Sequence, residues 1–290
     1  MSKSTTYGSM ILAAAVWGFQ PSCIKWLMQV WTPVTVSAVR YFIFGIILIL
    51  WSYRKEGRAA LPNATQLPWL VGMGICGVML NNILQFTGLQ YTTITNCTLI
   101  SSTTPCLTAI ASFCVLRERL ALRAWGGIVL SLVGVLLVVS NGSWDVISRI
   151  DFNKGDVMCF GSQVAWTAYT LFSMKLMKTL PTVAITGWAG LIGSLFNFAY
   201  GLSTNQLHVT ALSNMQLVSF LYVIFLGGIF AMVTWNQGVK VVGPSVASIF
   251  LNIMPVVGMV AGFFLFNEPM GFPQLMGAVT IFVGVYLVTR

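Results

Sequence analysis

Charge is scarce in this sequence. Only 7% of its 290 residues are Asp, Glu, Lys or Arg, against about 25% in a soluble domain. So few charges cannot cover a water-soluble body of 31.7 kDa, which excludes a soluble enzyme. The six acids, Glu56, Glu118, Asp145, Asp151, Asp156 and Glu268, all fall in connections or at the ends of apolar runs. A proton relay through a mid-membrane carboxylate, or capture of a cation by one, is therefore disfavoured. The single histidine, His208, lies in a connection. None of the six cysteines (Cys23, Cys76, Cys97, Cys106, Cys114, Cys159) forms a CxxC pair, so neither a metal site nor a disulfide framework is expected. There is no phosphate loop and no catalytic set. The expectation is a chain that is not an enzyme and holds no cofactor.

Apolar residues are abundant, at 57% of the chain, with a mean hydropathy of +0.85. A spanning helix needs about 20 apolar residues. Ten such runs are legible: 8–30, 33–53, 68–88, 94–115, 121–140, 156–176, 183–201, 215–236, 243–266 and 272–289. Backbone polar groups in lipid must be satisfied within the segment, so runs of this length are helices. The first run contains Gln20, Pro21 and Lys25 and does not read as a cleaved signal. With the N-terminus inside, eleven Lys and Arg face the cytoplasm. Only Arg149 and Lys154 face outward, and Lys25 and Arg40 stay within spans. This bias places both termini in the cytoplasm. It also accounts for the net charge of +9 without nucleic acid.

The chain repeats itself. Aligning 88–140 with 238–290, an offset of 150, gives 12 identities in 53 positions, among them Gly88/Gly238, Pro105/Pro255 and Glu118/Glu268. Trp17 and Trp166 correspond at an offset of 149. Two five-span repeats, 1–145 and 146–290, follow, joined near the polar stretch 141–155. Five is odd, so the second repeat enters the membrane in the opposite sense. Inverted repeats point to alternating access around a site at the midplane.

Several short motifs accompany the repeat: Trp17-Gly18, Arg40-Tyr41-Phe42, Pro105 through Glu118, Trp166 with Tyr169 and Lys175, and Pro255 through Asn267-Glu268-Pro269. In this order the chain resembles the drug/metabolite transporter superfamily, specifically its EamA type. The resemblance covers essentially the whole chain. It implies ten helices, cytoplasmic termini and export of amino acids or other small metabolites. Arg40 has no cationic counterpart near Ala189, so any role it has belongs to one repeat only.

Polar side chains inside spans mark a cavity or a helix contact, because an amide facing lipid is costly. The candidate substrate residues are Trp17, Gln20, Asn82, Gln85, Asn96, Gln163, Trp166, Tyr169 and Asn252. Trp17 and Gln20 share one helical face, as do Gln163, Trp166 and Tyr169. Asn81 and Asn236 are further amides within spans. Arg40 either attracts a substrate carboxylate or bonds backbone carbonyls for structure. Lys25, near a span end, snorkels. Pro105 and Pro255 each remove a backbone donor in mid-span and are candidate gating kinks. Gly258 and Gly262 form a GxxxG for close helix packing. The cysteines read as small apolar residues.

The expectation is an all-α membrane protein, multi-pass in the inner (plasma) membrane, as a monomer or homodimer. It would be a secondary transporter, in the export direction, of small neutral or zwitterionic metabolites, amino acids first. Its partners are a small-molecule substrate and the lipid bilayer. One alternative is a carrier of quaternary amines or drug-like cations through an aromatic cage. Another is a membrane receptor or assembly subunit that does not transport.

Overall fold

A computed structural model describes residues 3–92, 94–148, 153–266 and 270–290. Among these residues there is no strand. The long helical stretches are α1 (Lys3–Leu27), α2 (Pro33–Glu56), α3 (Leu67–Gly88), α4 (Asn96–Leu116) and α5 (Leu122–Ser140), then α6 (Lys154–Leu176), α7 (Thr182–Ser203), α8 (Asn214–Val242), α9 (Pro244–Leu265) and α10 (Phe272–Thr289). A short helix, Trp144–Ser148, lies in the connection after α5. Arg149, Asp151 and the Asn267-Glu268-Pro269 motif fall outside the described residues.

Local chemistry sets where the helices begin. Thr32 caps α2, accepting from the Thr35 amide at 3.1 Å, with Pro33 in the first turn. Capping boxes open α6 (Asn153 with Asp156) and α8 (Ser213 with Gln216), each satisfying amides that the first turn leaves unpaired.

Eight stretches are long and apolar enough to cross a membrane. The other two, α1 and α6, have 25 and 23 residues, about 35 Å each at 1.5 Å per residue. α1 owes its polarity largely to exposed Lys3, Ser4, Thr5 and Lys25 towards its ends, whereas α6 turns polar residues inward. In α6, Asp156, Ser162, Gln163, Thr167, Thr170 and Ser173 are all buried. The large apolar side chains of the periphery, such as Leu122, Val157, Phe264 and Phe272, are exposed, as a lipid-facing surface requires.

Glycines set the closest contacts. A Cβ on Gly127 would stand 2.6 Å from the Gly284 carbonyl, and one on Gly277 2.6 Å from the Gly134 carbonyl. Backbones therefore touch along the seam of α5 with α10, the close approach that small residues permit. An early residue of one helix meets a late residue of the other, so the two run antiparallel. The offset of 150 carries Gly127 to Gly277 and Gly134 to Gly284, so the seam maps onto itself under exchange of the repeats. Gly18 of α1 packs against Val257 and the Met254 carbonyl of α9, with the Gly18 carbonyl 3.7 Å from where a Gly258 Cβ would lie. The Gly258 end of the GxxxG thus serves packing within one chain.

Backbone irregularities are duplicated as well. α3 widens into π-helix over Gly74–Leu80 and α8 over Tyr222–Phe230. α4 is interrupted by a turn at 102–103, directly before Thr104 and Pro105. α9 passes through a 3-10 stretch, Ile249–Ile253, directly before Met254 and Pro255. In both repeats the proline sits at the start of a new helical half, where its missing N–H costs nothing.

Candidate substrate-binding site

Four rings meet where α1, α6 and α8 converge. Trp17 stands edge-on to Trp166 with centroids 5.7 Å apart. Trp235 lies 5.7 Å from Trp17 and 5.8 Å from Trp166. Tyr169 stacks on Trp166 at 5.1 Å, with planes 19° apart. These separations suit offset-stacked and edge-to-face packing. The two π-helical segments seat the group. Trp17 Nε1 donates to the Gly227 carbonyl of α8 at 2.9 Å. Gln20 lies on Gly227, where an added Cβ would meet its Oε1 at 2.1 Å, and the Tyr169 ring lies on Gly77, where a Cβ would meet it at 2.3 Å. The arrangement is symmetric, because Trp17 and Gln20 become Trp166 and Tyr169 under the offset of 149, and Gly77 becomes Gly227 under 150.

Hydrogen bonding around the rings is incomplete. Asn236 donates to the Tyr169 hydroxyl at 2.7 Å and to Thr186 Oγ1 at 2.9 Å. Its own Oδ1 is buried without a partner, as is Trp235 Nε1. An unpaired buried polar atom costs about 1–3 kcal/mol, so the centre of the molecule holds polar capacity that its own side chains leave unused.

Comparison with known proteins bears directly on this constellation. The model of the EamA-like transporter family matches residues 5–140 and again 153–290, nearly the whole chain in two stretches. The chain belongs to the EamA-like transporter family. It is similar to the uncharacterized transporter YyaM of Bacillus subtilis (strain 168), 28% identical over 90% of this chain and 86% of that one. It is also similar to an S-adenosylmethionine/S-adenosylhomocysteine transporter of Chlamydia muridarum (strain MoPn / Nigg), 26% identical over 94% of this chain and 88% of that one. One solved crystal structure superposes with a TM-score of 0.81, covering 99% of this chain and 96% of its own, at 15% identity. It shares the fold. The protein is thus a multi-pass membrane transporter of EamA type with the two-repeat fold.

Within that EamA-type frame, Trp17, Gln20, Trp166 and Tyr169 come together at the centre. The other candidates lie in further places. Gln163 accepts from Thr104 Oγ1 at 2.8 Å and donates to Ser101 Oγ at 3.0 Å, joining α6 to the broken part of α4. Asn81 donates to the Ser162 carbonyl of α6 at 3.0 Å. Gln85 is half-buried on α3, and Asn96 is buried at the start of α4. Asn252 donates to Ser131 Oγ at 2.9 Å, between α9 and α5. Asn82 pairs with Arg40 Nη2 at 3.0 Å, between α3 and α2. Lys25 is exposed. Glu118 accepts from Ser245 Oγ at 2.6 Å and faces Gly243, whose φ of +84° and proximity to the carboxylate exclude a Cβ. It thereby ties the α4–α5 connection to the start of α9, beside a cavity of about 210 Å³ lined by Phe113, Arg119 and Trp125.

Trp235, Gly77 and Gly227 were not among the sequence candidates. The offset of 150 pairs Trp235 with Gln85, an amide of different residue type, so the repeat alone does not single it out.

Proposed function

We propose that this EamA-type transporter moves small neutral or zwitterionic metabolites, amino acids first, outward across the inner membrane by alternating access between its two repeats. All ten long helices then cross the bilayer, with both termini cytoplasmic. The observation that carries this reading is the ring group of Trp17, Trp166, Trp235 and Tyr169. It lies between the repeats, is seated on irregular helix, and is edged by unused polar atoms of Asn236 and Trp235. Apolar walls with a few placed polar groups are the usual composition of a small-molecule site. Among the described residues Glu56, Glu118, Asp145 and Asp156 all sit at helix ends or in connections, so the reading requires no carboxylate at the centre and predicts only weak coupling to protons.

The test is efflux from proteoliposomes loaded with amino acids, amines, sugars and S-adenosylmethionine, followed by mass spectrometry. Selective efflux of amino acids, lost in Trp166→Ala, is the expected result. Efflux of sugars or amines alone counts against the substrate class, and selective binding without flux revives a receptor. The ring group also supports a second reading, a quaternary amine or sulfonium held on aromatic faces. Choline competing where neutral amino acids do not would favour it.

A further inference from the structure

Arg40 is the one buried cation among the described residues, 5% exposed. It sits seven residues into α2, about 10 Å from the helix start. Its partners are all neutral. Nη2 donates to Asn82 Oδ1 at 3.0 Å and contacts the Tyr41 hydroxyl at 3.3 Å. The guanidinium carbon lies 4.6 Å from the Tyr41 ring centroid. Nε is buried with no partner, and no described carboxylate pairs with the group. A buried cation without an anion is strongly unfavourable, and an ionisable side chain at depth in a membrane marks a functional site. A planar guanidinium is matched best by a carboxylate, which it holds by two parallel bonds.

Space for such a group lies alongside. A cleft of about 120 Å³ between α2, α3 and α7 is lined by Ser37, Asn82, Thr87, Gln90, Asn197 and Tyr200 among others. That is room for several waters, and so for the head of a small acid. Asn82, the neutral partner of Arg40, forms part of its wall. Asn197, fully buried, donates to Ser37 Oγ at 3.1 Å and keeps an amide oxygen with no partner. The cleft therefore pairs an uncompensated cation behind one wall with an unused acceptor on another.

We propose that this cleft binds the carboxylate head of a zwitterionic or hydroxy acid, with Arg40 taking the carboxylate and Asn197 Oδ1 accepting from the ammonium or hydroxyl. Asn82 Oδ1 stands in for the anion until it arrives. The inference rests on the transporter reading for its purpose, and its test is a binding measurement that needs no transport. Arg40 occurs in one repeat only.

The full-length protein in detergent is heated at constant ionic strength with propionate, with the neutral isostere propionamide, or with chloride. Propionate alone is expected to raise the unfolding midpoint, increasingly with concentration. Arg40→Gln should weaken the response by roughly 10- to 100-fold, as loss of a charge-assisted bond does. Asn82→Asp supplies the carboxylate from the protein itself. It should raise the midpoint without ligand and abolish the propionate response. Equal stabilisation by propionamide or chloride, or an intact propionate response in Asn82→Asp, overturns the proposal. Amino-acid efflux that depends on Trp166 but occurs without a propionate response fells this inference alone. A propionate response without efflux of any panel member fells the amino-acid reading alone.

Discussion

At Gly77 and Gly227 a single methyl group distinguishes two seats that the repeat makes equivalent. Under Gly77→Ala the new Cβ meets the Tyr169 ring and its Cβ at 2.3 to 2.9 Å. That ring is fully buried and held by Asn236, so it cannot yield cheaply. Under Gly227→Ala the nearest atom is the amide oxygen of Gln20, the far end of a flexible side chain. Overpacking a tight interior costs about 1–3 kcal/mol. Gly77→Ala should therefore lower the thermal midpoint in detergent clearly, and Gly227→Ala much less; equal losses would mean that the two seats are equally rigid. The same residues show how far the sequence could be read. Trp17 and Trp166 declared themselves through the offset of 149, and their spacing brought in Gln20 and Tyr169. Trp235 did not, because its repeat partner is an amide, Gln85, and nothing in residue type links the two.

Helix breaks lie at the scale of the element, where sequence is weaker. Pro105 and Pro255 were visible, and each does open a new helical half. The π-helical stretches of α3 and α8 were not, because their apolar runs resemble any other span. Gly77 and Gly227 lie within these widened stretches, under Tyr169 and Gln20. The break in α4 separates Cys97 from Pro105, and Cys97 Sγ lies 2.8 Å from Cys159 Sγ on α6. Both thiols are buried, and they belong to different repeats. Copper phenanthroline, acting as oxidant, should remove two electrons and two protons and join them. If alternating access separates α4 from α6, that bond stops flux and dithiothreitol restores it. Flux that continues in a chain shown by mass to be cross-linked would mean that these helices move together. A second expectation concerns the break itself. Pro255→Ala permits a more regular α9 and should slow efflux while leaving the thermal midpoint equal or higher, read by pairing an initial-rate assay with a melting curve.

At the scale of the whole molecule, the count of crossings decides what the repeats are. Hydropathy marks eight spans and leaves α1 and α6 aside: α6 turns its polar residues inward, and α1 carries exposed Lys3, Ser4, Thr5 and Lys25 towards its ends. The α5–α10 seam argues for more. Its glycine pairs make the two helices antiparallel. Starting from α5, an antiparallel α10 is reached only if α6 crosses along with α7, α8 and α9; without α6 the two would run the same way. α1 is the repeat partner of α6 through Trp17 and Trp166, and it packs against α8 and α9 in the interior. Ten crossings make each repeat odd and the pair inverted, the arrangement that alternating access needs. Single cysteines in a background lacking the six native ones test this with an impermeant maleimide. With the orientation set by the positive charges, Gln29→Cys and Trp144→Cys should label from outside intact cells. Ser4→Cys and Thr179→Cys should label only after permeabilisation. Each pair brackets one disputed helix, so labelling of both members from the same side would show that α1 or α6 does not cross, and the inverted repeat would fall with it.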